Sequence, residues 1–173
     1  MSRPSVGDYG SFYQGYIDAA KGNSLSDLIA SYPEQIKQFI TDLPEEKANF
    51  CYAPGKWTVK QMLQHLIDTE RVFCYRALRI SRNDRTPLAG FDENSFSEHA
   101  PVDHRTLSEL KQEFLLIREA TDLQLKSFTA AQLQLAGIAS NHHITLNAIC
   151  FIIYGHNLHH LRILKERYFE SEQ

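Results

Sequence analysis

The sequence predicts an all-α fold, a four-helix bundle with one long crossover connection. Four long segments carry apolar residues at helical spacing, and polar, turn-forming stretches separate them. No two segments show the alternating pattern that is typical of paired strands. The chain has 173 residues, of which 43% are hydrophobic, which suffices for one buried core. We therefore predict a single domain over residues 1–173.

The first two bundle helices are bounded by residues that favour helix ends. Ser24 is a candidate N-cap for the first helix, which the pattern extends to Pro44. Pro33 lies in the middle of this segment and is expected to kink the helix or split it in two, because proline has no N–H to donate. The second helix is predicted to begin at Thr58, after the turn sequence A-P-G-K, and to end near Ser81.

The third and fourth helices follow similar signals. Thr106 and Glu109 have the spacing of a capping box, and apolar residues continue from there to about Ser127. The last helix is predicted to begin near Thr145, after the polar link G-I-A-S-N-H-H-I, and to continue to Tyr168.

The connection between the second and third helices, residues 82–105, shows no helical period. Loops of this length inside compact domains are usually functional or disordered. Phe91 and Phe96 can anchor this one, so we predict an ordered crossover that covers one end of the bundle.

Charge and composition exclude several classes of partner. The net charge of −3 gives no basic field for nucleic acid or for an anionic membrane. No apolar run approaches the roughly 18 residues that span a bilayer, and the first residues lack the apolar core of a secretion signal. We therefore predict a cytoplasmic protein. Its three cysteines are expected to be reduced and structural.

The most informative pair of residues is His156 and His160. They lie four residues apart within the apolar stripe of the last helix, so both imidazoles are expected to point into the core. Side chains at this spacing can bind one cation together, as in many zinc sites. The competing interpretation is a pair of core histidines bonded to carbonyls or carboxylates. We favour the metal because a third histidine is available on another helix.

That third histidine is His65, which lies at the edge of the apolar face of the second helix, beside Thr69 and Arg76. His159 is the chief rival ligand, but its position on the helical wheel favours the rim of the site. The remaining candidates, His142 and His143, lie in a polar link and are expected to be solvated.

Three stretches of the chain resemble the DinB/YfiT-like family of metalloenzymes (DinB superfamily). These are Y-A-P-G-K-W-T-V-K-Q-M-L-Q-H-L-I-D-T-E-R-V-F-C-Y-R-A-L-R at residues 52–79, T-P-L-A-G-F-D-E at 86–93 and G-H-N-L-H-H-L-R-I-L-K-E-R-Y at 155–168. The resemblance implies a bundle with one crossover, often a homodimer, that binds one divalent ion through three histidines. Carried onto this chain, those ligands are His65, His156 and His160. The sequence departs from the family at Asn157, where relatives often have Glu, and at Ala89, where they often have Pro, and both differences could alter substrate contacts.

Three imidazole ligands leave one position of the ion open for water or substrate. We therefore predict a metal-dependent enzyme, either a hydrolase or a transferase of low-molecular-weight thiols, with a small molecule or thiol bound at the metal. The alternative is a non-catalytic metal-binding or stress-associated bundle. An all-imidazole site suits zinc, nickel, copper or iron, and among these we predict zinc or nickel.

The candidate acids or bases for catalysis are Glu70 and Asp68. For Glu70 we favour an internal salt bridge, because it points away from His65 on the helical wheel; the arginines considered as its partner are Arg76, Arg79, Arg162 and Arg167. Trp57 and Tyr52 are expected to pack at the start of the second helix.

Overall fold

The computed structural model describes residues 1–170. Within them the helices, in chain order, are α1 (Gln14–Ala19), α2 (Leu25–Ser31), α3 (Pro33–Thr41), α4 (Val59–Ser81), α5 (Glu93–His99), α6 (Leu107–Lys126), α7 (Ala130–Leu133) and α8 (Leu146–Ile163). A π-helical turn, Leu164–Phe169, continues α8. Two short strands, β1 (Ala136–Ala139) and β2 (His142–Thr145), precede α8. The four bundle segments are α2–α3, α4, α6 and α8, which confirms the predicted fold class.

The helix ends follow the chemistry of the capping residues. Ser24, Thr58 and Thr106 each accept a hydrogen bond from the backbone N–H three residues later, and each forms a full capping box. Pro33 is the first residue of α3, a position where its missing N–H breaks no helical bond. The first predicted helix is therefore split in two at this proline. A split was one of the two outcomes that we expected, and a kink was the other.

The core lies where α4 packs between α6 and α8, and α1 packs along α8 from the other side. The largest apolar side chains here are fully buried; they include Leu63, Leu66, Phe114 and Phe151. Burial of each such side chain stabilises the fold by about 1.5–3 kcal/mol. The polar residues that α4 and α8 carry on their facing sides are thus held in fixed positions.

Strands β1 and β2 form an antiparallel hairpin, which pairs Ala136 with Thr145 and Ala139 with His142. The sequence showed no pattern of a strand pair, and the prediction that the chain has none was wrong. Each strand has only four residues, too few for a recognisable period. The turn residues Ser140 and Asn141 have φ angles of 50° and 64°, as two-residue hairpin turns of type I′ require.

The crossover is ordered by the hairpin and by a helix of its own. Leu88 forms a parallel bridge with Ala139, and its N–H donates to the carbonyl of Ile138 over 2.9 Å. Helix α5 interrupts the segment for which no helix was expected. Asp92 explains this helix, because its side chain accepts hydrogen bonds from the N–H groups of Asn94 and Ser95. The crossover is thereby held against the bundle beside α4.

In the part of the chain that the structure describes, none of the helices combines the length and the apolar character needed to cross a membrane.

Candidate metal centre

The fold brings His65, His156 and His160 together. His65 comes from the second turn of α4, and the other two lie one turn apart on the facing side of α8. The Nε2 atoms of His65 and His156 are 3.0 Å apart. One ring nitrogen from each of the three residues lies within 4.8 Å of the others. Two ligands of a tetrahedral zinc ion are separated by about 3.3 Å. The separation of His65 and His156 is close to this value, and the separations within the whole group exceed it by at most about 1.5 Å.

The three imidazoles are buried, with only 9%, 4% and 8% of their respective surfaces exposed. Burial lowers the pKa of His65 to about 4. Burial, reinforced by the neighbouring histidines, lowers the pKa of His156 and of His160 well below the usual 6.5. All three rings are therefore neutral at pH 7, which is the form that binds a metal ion.

Hydrogen bonding within the cluster is incomplete. The Nδ1 atom of His160 is buried and has no hydrogen-bond partner among residues 1–170. The Nδ1 atom of His65 lies 3.5 Å from the hydroxyl of Thr69, at the outer limit of a hydrogen bond. Buried polar atoms without partners are unfavourable. Three neutral imidazoles, one of which has a buried nitrogen without a partner, fit a divalent transition-metal ion.

His159 lies outside this group, as the helical wheel predicts. Its ring is 5.0 Å from that of His160, and it contacts Tyr16 at the rim of the site. His142 and His143 are exposed on β2 and do not belong to the cluster. Among the described residues, the group that can hold a metal ion consists of His65, His156 and His160.

A cleft of about 530 Å³ opens directly onto the three histidines. Its walls come from α4, α8, the N-terminal segment, the crossover and the hairpin turn; the other lining residues are Phe12, Tyr13, Tyr16, Trp57, Thr69, Phe73, Arg76, Gly90, Phe91, Glu93, Asn94 and Ser140. The lining is mostly aromatic with a few polar groups, which is typical of small-molecule sites. The crossover thus forms one wall of the candidate site.

Aromatic rings flank the histidines inside this cleft. The ring of Trp57 lies 4.7 Å from that of His65, and the ring of Tyr16 lies 5.2 Å from that of His156. Burial raises the pKa of Tyr16, and the nearby Glu93 carboxylate raises it further. Trp57 was expected only to pack at the start of α4. It does pack there, but it also forms part of the cleft wall.

Glu70 belongs to a buried polar network on the opposite side of α4. The guanidinium of Arg118 donates to Glu70 over 3.0 Å and to Asp122 over 2.9 Å. Asn157 donates to Glu70 over 2.9 Å, and Tyr154 donates to Asp122 over 3.0 Å. The network joins α4, α6 and α8. Asn157 therefore bonds to Glu70 and does not line the cleft.

The expected internal salt bridge of Glu70 is present, but its partner is Arg118. None of the four arginines considered from the sequence, Arg76, Arg79, Arg162 and Arg167, is its partner in the structure. The partner lies on α6, and helix periodicity gives no information about which helices become neighbours.

Asp68 lies on α4 beside the cluster, outside the cleft. It borders a water-sized cavity together with His65 and Glu93. Partial burial raises its pKa, although a hydrogen bond from Gln64 lowers it. Catalytic roles for Glu70 and Asp68 remain predictions. The carboxylate that lines the cleft itself is that of Glu93.

Tyr16 and Glu93 are among the cleft residues that the sequence did not indicate, whereas Arg76 was placed beside His65 on α4 but was not assigned to the site. The sequence contained a signal for Arg76. It lies eleven residues after His65 on α4, and this separation places the two residues within about 20° of each other on a helical wheel. Tyr16 and Glu93 come from segments without a strong period, so their position depends on tertiary packing.

Residues 31–164 match a family model described as the DinB superfamily. A protein of Oceanobacillus iheyensis named "Putative metal-dependent hydrolase OB0782" is 30% identical over 77 residues, which are 44% of this chain and 42% of that protein. A protein of Bacillus subtilis (strain 168) named "Putative metal-dependent hydrolase YfiT" is 28% identical over 72 residues, 41% of this chain and 40% of that protein. The alignments thus span about two fifths of the length of these curated relatives.

A solved structure of YfiT from Bacillus subtilis, described as a "probable metal-dependent hydrolase with an unusual four-helix bundle topology", resembles this chain with a TM-score of 0.64. The sequences are 20% identical, and the match covers 97% of this chain and 93% of that one. This likeness shows the fold.

Proposed function

Because the chain belongs to the DinB superfamily, and because its fold gathers three neutral imidazoles beside an open cleft, we propose that it is a metal-dependent hydrolase with one divalent ion per chain. His65, His156 and His160 are the proposed ligands, and zinc or nickel is the proposed metal. The names of the two curated relatives support the same reaction class.

The observation that carries this proposal is the position of the cluster at the wall of the cleft. The metal-binding group contains three histidines, and no carboxylate or thiolate of the described residues joins it. Three protein ligands with an accessible fourth position are the arrangement of catalytic zinc sites, whereas structural sites are closed by a fourth side chain.

A divalent ion held by His65, His156 and His160 would lower the pKa of a bound water towards about 7. The chain's own residues then have separate tasks. The cleft admits the substrate, and its aromatic walls exclude bulk water from the reacting bond. Glu93 can accept a proton at its carboxylate, because it is the acidic residue that lines the cleft.

Transfer of a low-molecular-weight thiol is the second candidate reaction. Three neutral imidazoles would leave the charge of a bound ion uncompensated, which would also favour binding of a thiolate. In that reaction the thiol comes from a small molecule, since none of the three cysteines, Cys51, Cys74 and Cys150, lines the cleft. A non-catalytic bundle is the remaining alternative.

Cobalt substitution separates the three candidates. Cobalt-loaded protein is titrated with simple anions and with cellular thiols, and its visible spectrum is recorded. In parallel, hydrolysis of 4-nitrophenyl acetate is measured with zinc-loaded, nickel-loaded and metal-free protein. We expect anions to perturb the spectrum and metal to restore hydrolysis. A spectrum that only thiols change, without hydrolysis, favours the transferase. A spectrum indifferent to every ligand indicates a closed site and overturns the enzymatic proposal.

His159→Ala serves as the control in the hydrolysis assay, because His159 lies beside the cluster without belonging to it. Hydrolysis that depends on metal in the wild type and in His159→Ala, but is lost in His65→Ala, supports the proposed ligand set. Equal hydrolysis in His65→Ala and the wild type contradicts it.

A further inference from the structure

Two arginines are almost fully buried, and they differ in how their charge is balanced. Arg118 is 0% exposed and contacts two carboxylates, those of Glu70 and Asp122. Arg76 is 2% exposed, and no carboxylate of residues 1–170 lies within ion-pair distance of it. A buried charge without a counter-charge is unfavourable, so the environment of Arg76 lacks an anion.

All the hydrogen-bond partners of Arg76 are neutral. Its Nη2 atom donates to the carbonyl of Ala89 over 2.8 Å and to the hydroxyl of Ser140 over 2.9 Å, and its Nη1 atom donates to the hydroxyl of Tyr13 over 3.3 Å. A guanidinium group has five N–H donors, so these three bonds leave two for a ligand. The crossover, the hairpin turn and the N-terminal segment hold the group in place.

Arg76 lines the same cleft as the three histidines. Its Cα atom is eleven residues from that of His65 on α4, a distance of about 16 Å along the helix axis. Phe73 lies between the two positions on the same helix face and also lines the cleft. The cleft therefore has a metal-binding end, an apolar middle and a cationic end.

We propose that Arg76 binds a carboxylate group of the substrate, so that the cleft takes elongated, largely apolar carboxylic acids whose reactive bond lies at the histidine cluster. This inference rests on the proposed function and adds the class of substrate to it. A carboxylate fits better than a phosphate dianion for two reasons. Arg76 is the one Lys or Arg among the lining residues, and Glu93 adds a negative charge. One guanidinium neutralises one carboxylate, to which a free N–H group of Arg76 can donate a charge-assisted hydrogen bond.

The test measures binding to metal-free protein, after the chelator has been removed, so that it does not depend on catalysis or on coordination to metal. Isothermal titration calorimetry compares 6-phenylhexanoate with its neutral analogue 6-phenylhexanamide. We expect the wild type to bind the acid about tenfold or more tightly than the amide, the effect of a charge-assisted hydrogen bond. This comparison needs no variant. Absence of a preference for the acid, or absence of binding at millimolar concentration, overturns the proposal.

Two variants then assign the preference to one residue. In Arg76→Gln the acid and the amide should bind within about twofold of each other, and Arg76→Lys should keep part of the preference because it keeps the charge. Arg82→Gln is the matched control, since Arg82 is exposed on the turn that follows α4, and it should bind like the wild type. Circular dichroism verifies that each variant is folded. A folded Arg76→Gln protein that still prefers the acid tenfold overturns the proposal.

Because the protein is metal-free, the outcome is independent of the hydrolase assay. If the protein prefers the acid but does not catalyse metal-dependent hydrolysis, only the proposed function is contradicted. Hydrolysis that survives without any preference for the acid contradicts only the role of Arg76.

Discussion

Gly155 lies directly against the main chain of Tyr16. A Cβ atom at position 155 would lie 1.9 Å from the carbonyl oxygen of Tyr16, far inside van der Waals contact. This close approach lets α1 pack along α8 and places the ring of Tyr16 edge-on to His156, 5.2 Å away. The residue before a proposed metal ligand therefore fixes one wall of the cleft.

Gly155→Ala should force α1 away from α8, because the clash is with backbone atoms that cannot rotate aside. We expect a loss of about 1–3 kcal/mol in the free energy of unfolding, measured with urea. Gly15→Ala is the control. Gly15 lies in α1 with nothing near its Cβ position, so alanine there should be neutral or stabilise by about 0.5–1 kcal/mol. Equal stability of the two variants would contradict the close packing.

His156→Ala should remove most of the bound metal, since two imidazoles rarely hold an ion tightly. Elemental analysis of protein purified without an affinity tag should give less than about a fifth of the wild-type metal content. His159→Ala changes the same residue type on the same helix outside the cluster and should keep the full content. Stoichiometric metal in His156→Ala would show that the ligand assignment is wrong.

The metal-free protein should lose stability as the pH falls below about 6.5. The pKa of His65 is about 4 in the folded state and about 6.5 in the unfolded chain, so between these values the unfolded state binds more protons. Stability is therefore fully present above pH 6.5 and declines towards pH 4, on the order of 3 kcal/mol for His65.

Urea unfolding at pH 7.5 and pH 4.5 measures this decline. His65→Gln should weaken the pH dependence, because glutamine does not titrate. His142→Gln should leave it unchanged, since His142 is exposed. An identical pH dependence in the wild type and His65→Gln would exclude the proposed linkage.

Arg118→Met should destabilise the fold by about 3–5 kcal/mol, because it leaves the carboxylates of Glu70 and Asp122 buried without a cation. Metal content should stay at the wild-type level, since this network lies on the opposite side of α4 from the histidines. Lys37→Met is the surface control. Its partner Glu34 is 89% exposed, so the loss should be within about 1 kcal/mol. A similarly small loss in Arg118→Met would count against a stabilising network.

The homodimer and the cytoplasmic location implied by the sequence stay predictions. Leu116 and Leu123 lie seven residues apart on α6 and are 62% and 65% exposed, and they supply apolar surface for self-association. Light scattering at micromolar concentration should give twice the chain mass of 19.9 kDa. A mass equal to that of one chain would exclude the dimer.

The sequence by itself determined the four long bundle segments and indicated the three histidines that lie together. The helix ends depend on local chemistry, such as the hydroxyls of Thr58 and Thr106 bonding three residues ahead, and these signals can be read from neighbouring residues. The relative orientation of His156 and His160 can also be read from the sequence, because side chains four residues apart on a helix point in nearly the same direction.

Tertiary structure alone decided which elements meet. The partner of Glu70 is Arg118, 48 residues away, and no periodic pattern encodes that contact. The sequence did not predict the hairpin because its strands are short. The hairpin nevertheless pairs with Leu88 and thereby holds the crossover in place. Tyr16, Arg76 and Glu93 reach one cleft from three separate segments. Patterns along the chain report the direction of a side chain about its own helix axis, whereas a site depends on distances between elements, which only packing fixes.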